Sequence, residues 1–305
     1  MNFTESEIIG NDPNLTWDEL LGAIRSLDKV CAPPESQWIF RAEGKWEEAS
    51  GGVYSVPLRS SLDCAPERRE NFVMPGDRRR YESWILYEFK REAHHYVGNP
   101  PAPDDFLEWL ALGRHYEMPS RLVDFTYSFF VAAYFALSRR HRHEDGRIVA
   151  INLSWMKKDW EDTLAAKYGD PFKGDAGSFH NKDLFKEFAF RRRETYAVVV
   201  NSLRRNPRLA RQQGCFVCPG NVEESFDHNL AQTLDGRPHV KRLVRLPCGL
   251  KTAAMRDLMR MNVTPAVLYP DLTGWAQSRR DLVHLEIADE RFRRELDIAM
   301  ITPRI

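Results

Sequence analysis

The sequence predicts an α+β fold built as one domain over residues 1–305. Short apolar runs of strand character, Trp38-Ile39-Phe40, RIVAINL (147–153) and TYAVVVN (195–201), are interspersed with stretches whose apolar residues recur at helical spacing. No linker, internal repeat or low-complexity tract divides the chain. Apolar residues make up 43% of it, with 17 Phe and 8 Trp, enough to fill one large core. Lys+Arg and Asp+Glu both number 44, so the net charge is zero and a global electrostatic grip on nucleic acid or membrane is not expected. Five cysteines at scattered spacing read as free thiols in a reducing compartment. With no apolar run long enough to span a bilayer and no signal-peptide pattern in MNFTESEIIGNDPN, the expected location is cytoplasmic.

Thr16 opens the first helix. Glu19 three residues on completes a capping box, and positions 17, 20, 21, 24 and 27 form the apolar stripe. Pro33-Pro34 separates it from the strand WIFRA (38–42), which ends in Arg41. A guanidinium at the end of a buried strand needs a partner, from a carboxylate such as Asp124 or from an anionic ligand. Residues 42–80 read as irregular, ending in Arg78-Arg79-Arg80. Tyr81 to Tyr96 reads as a helix, and Asp104 or Asp105 caps another through Phe106, Leu107, Trp109 and Leu110. GRHYEMPSRLVDFT (113–126) is a polar-apolar junction before SFFVAAYFALSRR, an almost wholly apolar helix from Ser128 to about Arg140 that is expected to be central. Residues 155–194 form a charged insertion, helical in part. GCFVC (214–218) reads as a strand, 251–262 as a helix, TPAVLYP (264–270) as a strand or extended segment, and Pro270-Asp271 as the start of the last helix.

Several residues suit chemistry. The planar fork of Arg41 suits a diphosphate or ribose oxygens. Thr126 or Ser128 lies at a helix start, where capping and anion binding are compatible roles. His115 titrates near neutrality, which suits an acid or base. Arg121 and Asp124, three apart, suit a local pair or a support beneath a pocket. Cys215-x-x-Cys218 is not a metal site, because strand residues three apart face opposite sides and no second ligand pair has zinc spacing. Residues 185–211 carry eight basic residues against two acidic ones, with Phe185, Phe188, Phe190 and Tyr196 interleaved, which suits RNA or, equally, a solvated face.

Three stretches taken together, WIFRA (38–42), HYEMPSRLVDFTYSFFVAAYFA (115–136) and RLARQQGCF (208–216), resemble the FRG domain family over roughly residues 15–280, with Pro270-Asp271-Leu272-x-Gly274 similar to its C-terminal signature. Ala42 and Glu117 stand where the family motifs carry glycine, Ser120 where they carry Thr and Phe125 where they carry Trp. The motif order is in turn similar to that of ADP-ribosyltransferases. The resemblance therefore implies a split, mainly antiparallel sheet flanked by helices, with NAD as the cofactor. Arg41 on the first strand would hold it, with Tyr116, Arg121, Asp124, Thr126 and Ser128 around it. Arg41, Thr126, Gln213 and His115 would be the catalytic set. Glutamine at 212 and 213, where such enzymes use a carboxylate, cannot accept a proton at neutral pH. The implied function is a toxin-like effector of bacterial conflict or phage defence. It would transfer ADP-ribose to a protein or nucleic-acid acceptor, or hydrolyse NAD, and a partner protein would hold it in check. A non-catalytic module that binds RNA or a protein is the rival, and a hydrolase or nuclease using His115 and Asp124 is the third reading.

Overall fold

The computed structural model describes residues 1–30, 37–49, 53–64, 78–138, 144–168, 182–237 and 239–284. Within them the strands are β1 (Asn2–Phe3), β2 (Ile8–Ile9), β3 (Trp38–Lys45), β4 (Tyr54–Ser55), β5 (Val123–Thr126), β6 (Gly146–Asn152), β7 (Ala197–Val200), β8 (Gly214–Pro219) and β9 (Lys241–Leu246). The helices are α1 (Trp17–Val30), α2 (Arg78–Ala93), α3 (Phe106–His115), α4 (Phe129–Ser138), α5 (Leu153–Tyr168), α6 (Lys182–Lys186), α7 (Pro207–Arg211), α8 (Phe226–Leu234), α9 (Lys251–Arg260), α10 (Pro265–Leu268) and α11 (Leu272–His284). Among the described residues no helix is long and apolar enough to cross a membrane.

Seven strands form one sheet in the order β2-β9-β6-β3-β5-β8-β7, antiparallel except for β2 beside β9; β1 and β4 make a separate pair. The α+β reading therefore holds. Side chains alternate between the two faces with the strand period of two. Ile39, Val123, Phe125, Val149, Val199, Cys215, Val217 and Leu243 join one continuous core on the first face. On the second face the core is divided. Trp38, Phe40, Ile148, Ala150 and Val244 pack under α1, α4 and α9, whereas Val198, Val200, Phe216 and Cys218 pack under α2, α3 and α6. Cys215 and Cys218 are thus buried on opposite faces.

The same division runs through the sheet. β3 pairs with β6 along nearly its whole length but touches β5 at a single register position, Phe40 opposite Thr126. Beyond it the two strands part.

Local chemistry explains most elements. Thr16 Oγ1 accepts from the backbone N–H of Glu19 (3.3 Å), whose carboxylate accepts from the Thr16 N–H (2.8 Å), so the capping box forms. Asp105 accepts from Glu108 N (3.3 Å) and caps α3. Ser128 Oγ accepts from Val131 N (3.3 Å) and caps α4. Asp271 accepts from Gly274 N (2.8 Å) at the head of α11. The extended reading of 264–270 is corrected: Pro265 presets a helical φ and Leu268 N donates to Thr264 O (2.9 Å), closing the turn α10. Residues 123–126 form a strand rather than a junction. β9 escapes recognition because its sequence, KRLVRL, is half basic; Lys241 is nevertheless buried, bonded to Asn2 O (2.6 Å) and paired with Asp235. The charged 155–194 segment is partly integral, since Trp160, Phe185 and Phe188 are buried in the core under α2 and α3. Pro33-Pro34 and the last residues of the expected 128–140 helix lie outside the described residues.

Arg121, buried with 1% exposure, binds the second half of the molecule together. Its Nε donates to Glu82 Oε1 (2.8 Å) on α2, its Nη1 to Ala189 O (2.6 Å) and Pro219 O (3.4 Å), and its guanidinium lies over the Phe190 ring (4.6 Å). Arg121→Leu would leave the Glu82 carboxylate buried and alone, a cost of about 3–5 kcal/mol; urea unfolding of this variant should show a loss of that size, and Trp84→Ala, a change at an exposed position of the same helix, should shift the midpoint little.

Candidate functional site

A cleft of about 630 Å³ opens where β3 and β5 part, between the two halves of the divided core. Its size falls in the range of small-ligand sites. Phe40, Arg41, Ala42 and Gly44 of β3 form one wall, with Val131, Ala132 and Phe135 of α4. Asp124, Phe125 and Thr126 of β5, with Ala111, Arg114 and His115 of α3, form another. Asn206, Arg208, Leu209 and Gln212 close a third side, and Tyr269 lies beside them.

Arg41 answers the question its position poses. Its Nε is paired with Glu43, two residues on and on the same face of β3, and its Nη1 donates to Asp124 O (2.7 Å). The guanidinium bridges the gap where the ladder between β3 and β5 has stopped, and gives the Asp124 carbonyl a partner there. The pairing with the Asp124 carboxylate does not form, because Arg114 takes that carboxylate through Nε (2.9 Å) and Nη2 (2.5 Å).

Thr126, opposite both Phe40 on β3 and Gly214 on β8, is buried. Its hydroxyl donates to Gln212 O (2.7 Å) and accepts from Ser128 N (3.0 Å), so it ties the end of β5 to α4 and to the residues before β8. Gln212 lines the cleft, its amide nitrogen donating to Leu268 O (3.1 Å). Gln213 does not line it; with φ of 47° it makes the left-handed turn from α7 into β8, and its carbonyl accepts from Tyr127 N (2.9 Å). Gly214 permits that turn, since a Cβ there would come within 2.3 Å of Leu209 Cδ1.

The other expected site residues are distributed as follows. His115 and Asp124 line the cleft; Ser128 caps α4 and Tyr116 is exposed, and neither is part of the lining. Arg121 is buried away from the cleft, engaged with Glu82, so its local pair with Asp124 does not form. Arg114, Arg208, Tyr269 and Glu43 are site residues that the sequence reading passed over. Arg208 lay inside the RLARQQGCF stretch and Tyr269 directly before Pro270-Asp271, but neither has a spacing that announces a site. In the basic 185–211 block the aromatics are not free platforms: Phe185 and Phe188 are core, Phe190 stacks on Phe106 (4.8 Å) and under Arg121, and Tyr196 bonds to Asp159.

Glu117, whose place in the motif is glycine in the FRG resemblance, has φ of 63° at the C-terminal end of α3, where Met118 N closes back on Gly113 O (2.9 Å). A side chain in the left-handed region costs roughly 1–2 kcal/mol that glycine does not. Glu117→Gly should therefore raise stability by about 1 kcal/mol in urea unfolding, after the offsetting gain in unfolded-chain entropy.

Burial, and after it the charge of Arg208, holds the His115 pKa below its ordinary 6.5. The imidazole is neutral at pH 7 and able to accept a proton. Burial pushes the Cys215 and Cys218 thiols up to about 12, which keeps both unreactive. As pH falls through 6.5 the unfolded chain takes up its proton at His115 before the folded one does, so this group subtracts stability below pH 6.5 and contributes nothing above it. An NMR titration should place the His115 midpoint below 6.5, and Arg208→Gln should return it part of the way.

Residues 51–145 match the FRG domain. The match spans α2, α3, β5 and α4, and with them His115, Asp124 and Thr126; it is narrower than the 15–280 resemblance and leaves Arg41 and Gln212 outside. No curated protein and no solved structure matches the chain.

Proposed function

Proceeding from the premise that this chain carries an FRG domain, we propose that the cleft takes an NAD-like dinucleotide and supports transfer of its ADP-ribose to a macromolecule or to water. The observation that carries this reading is the convergence of Arg41, Thr126 and His115 on one cleft at the parting of β3 and β5. Support also comes from the register. Phe40, Thr126 and Gly214 are cross-strand neighbours on three adjacent strands, which gives the order Arg, Thr, Gln expected of a transferase-like split sheet. The ADP-ribosyltransferase likeness is part of this proposal, resting on motif order and on this register.

In this reading Arg41 binds the dinucleotide, with Asp124 and Arg114 forming the floor beside it. Thr126 holds the end of β5 in place, and Gln212 takes the role that the sequence assigned to Gln213. The bond between C1′ of the ribose and the nicotinamide nitrogen breaks, its electron pair leaving with neutral nicotinamide. A bond forms between C1′ and the acceptor atom, whose proton passes to the neutral His115. Positioning and charge stabilisation would supply most of the acceleration. Such an activity suits a conflict effector restrained by a partner protein.

One observation favours the non-catalytic alternative, a cleft that only recognises an RNA or protein partner. The Asp124 and Glu43 carboxylates nearest the expected chemistry are both already paired with arginines. Incubation with adenylate-labelled NAD and a cell lysate separates the readings. The expected result is nicotinamide release with label on protein or nucleic acid, reduced about 10- to 100-fold in Arg41→Ala, the size of a lost charged hydrogen bond. Release without transfer would identify a hydrolase. Neither binding nor turnover of NAD would remove the enzyme and leave the recognition module.

A further inference from the structure

We propose that Arg208, rather than Arg41, seats the diphosphate of the cleft's nucleotide ligand; this rests on the nucleotide-binding reading above and names the anchor within it. Three guanidiniums line the cleft: Arg41, Arg114 and Arg208. They differ in what they already hold. Arg41 is paired with Glu43 and bonded to Asp124 O, and Arg114 makes two bonds to the Asp124 carboxylate. A phosphate arriving at either must displace or share a carboxylate, which opposes binding by like-charge repulsion.

Arg208 has no such partner. Among the described residues no carboxylate pairs with it, and its guanidinium lies over the Tyr269 ring, 4.7 Å from the ring centroid. A cation–π contact of this kind restrains the guanidinium without using its N–H groups, which stay available for the paired oxygens of a phosphate. Tyr269 is itself held, its backbone N–H donating to Pro265 O (2.8 Å) and its ring edge-on to Phe135 (6.2 Å). Part of the ordering entropy of the arginine is thereby met before the ligand arrives. Glu117, the remaining carboxylate of the lining, is exposed and forms no ion pair with any of the three among the described residues. Arg208 is therefore the uncompensated positive charge of the cleft, with neutral His115 and the amide of Gln212 beside it in the same lining.

The test is calorimetric titration of ADP into the full chain and three variants, each checked for an unchanged melting curve. Arg208→Gln should weaken ADP binding by about 10- to 100-fold. Arg208→Lys should recover part of it, because the charge returns without the fork. Arg211→Gln, a change of the same charge on the same helix but outside the lining, should bind ADP as the parent does. Undiminished ADP binding by Arg208→Gln, an equal loss in Arg211→Gln, or no ADP binding by the parent chain would each overturn the proposal. Its failure is separable from that of the transferase reading. ADP binding that depends on Arg208 without any NAD turnover sinks only the enzyme, whereas NAD turnover with an unchanged KM in Arg208→Gln sinks only this anchor.

Discussion

One register position, Phe40 opposite Thr126, joins the two halves of the main sheet, and the rest of the architecture follows from that narrow seam. On one face the seam is invisible, because Ile39, Val123 and Phe125 share a continuous core. On the other the described helices divide into two groups, each packed on its own cluster. Paired strands lie about 4.8 Å apart; once β3 and β5 part, backbone groups that would face each other must find other partners or stand open to a ligand. The cleft is the space this leaves.

Charge placement reinforces the seam. Arg41 reaches across it to the Asp124 carbonyl, and Arg114 at the end of α3 holds the Asp124 side chain, so one residue of β5 is gripped from both sides. Three residues earlier, Arg121 is wholly committed to Glu82 and to two carbonyls beyond it. Arg121 precedes β5, and its side chain is drawn under α2; Asp124, within the strand, shares the open second face with Thr126. Ion pairs that look alike in sequence therefore serve different ends, one cementing a core and the other shaping a wall.

The same logic separates the cations of the cleft by availability. A guanidinium that already holds a carboxylate contributes shape and local potential, and one that holds only an aromatic face keeps its hydrogen-bonding edge free. The histidine of the same lining is held below its ordinary pKa first by burial and only then by the charge of Arg208.

The sequence by itself determined the α+β class, the capping box of α1, the central α4, the strands β3, β6 and β8, and the FRG-like stretch from His115 to Ala136, because each is written in short-range pattern: period, cap or contiguous motif. It also determined that Arg41, His115, Asp124 and Thr126 carry suitable chemistry. The tertiary structure decided the partners. Glu43 rather than Asp124 answers Arg41, Glu82 answers Arg121, and Gln212 rather than Gln213 faces the cleft, the last because φ at Gln213 turns that residue out to start β8. β9 and α10 were likewise illegible: one hides its strand period under three basic residues, and the other is a single turn set by a proline. Arg208 and Tyr269, some 60 residues apart, acquire meaning only when folding stacks them, since a contact between distant positions leaves no period in the chain to be read.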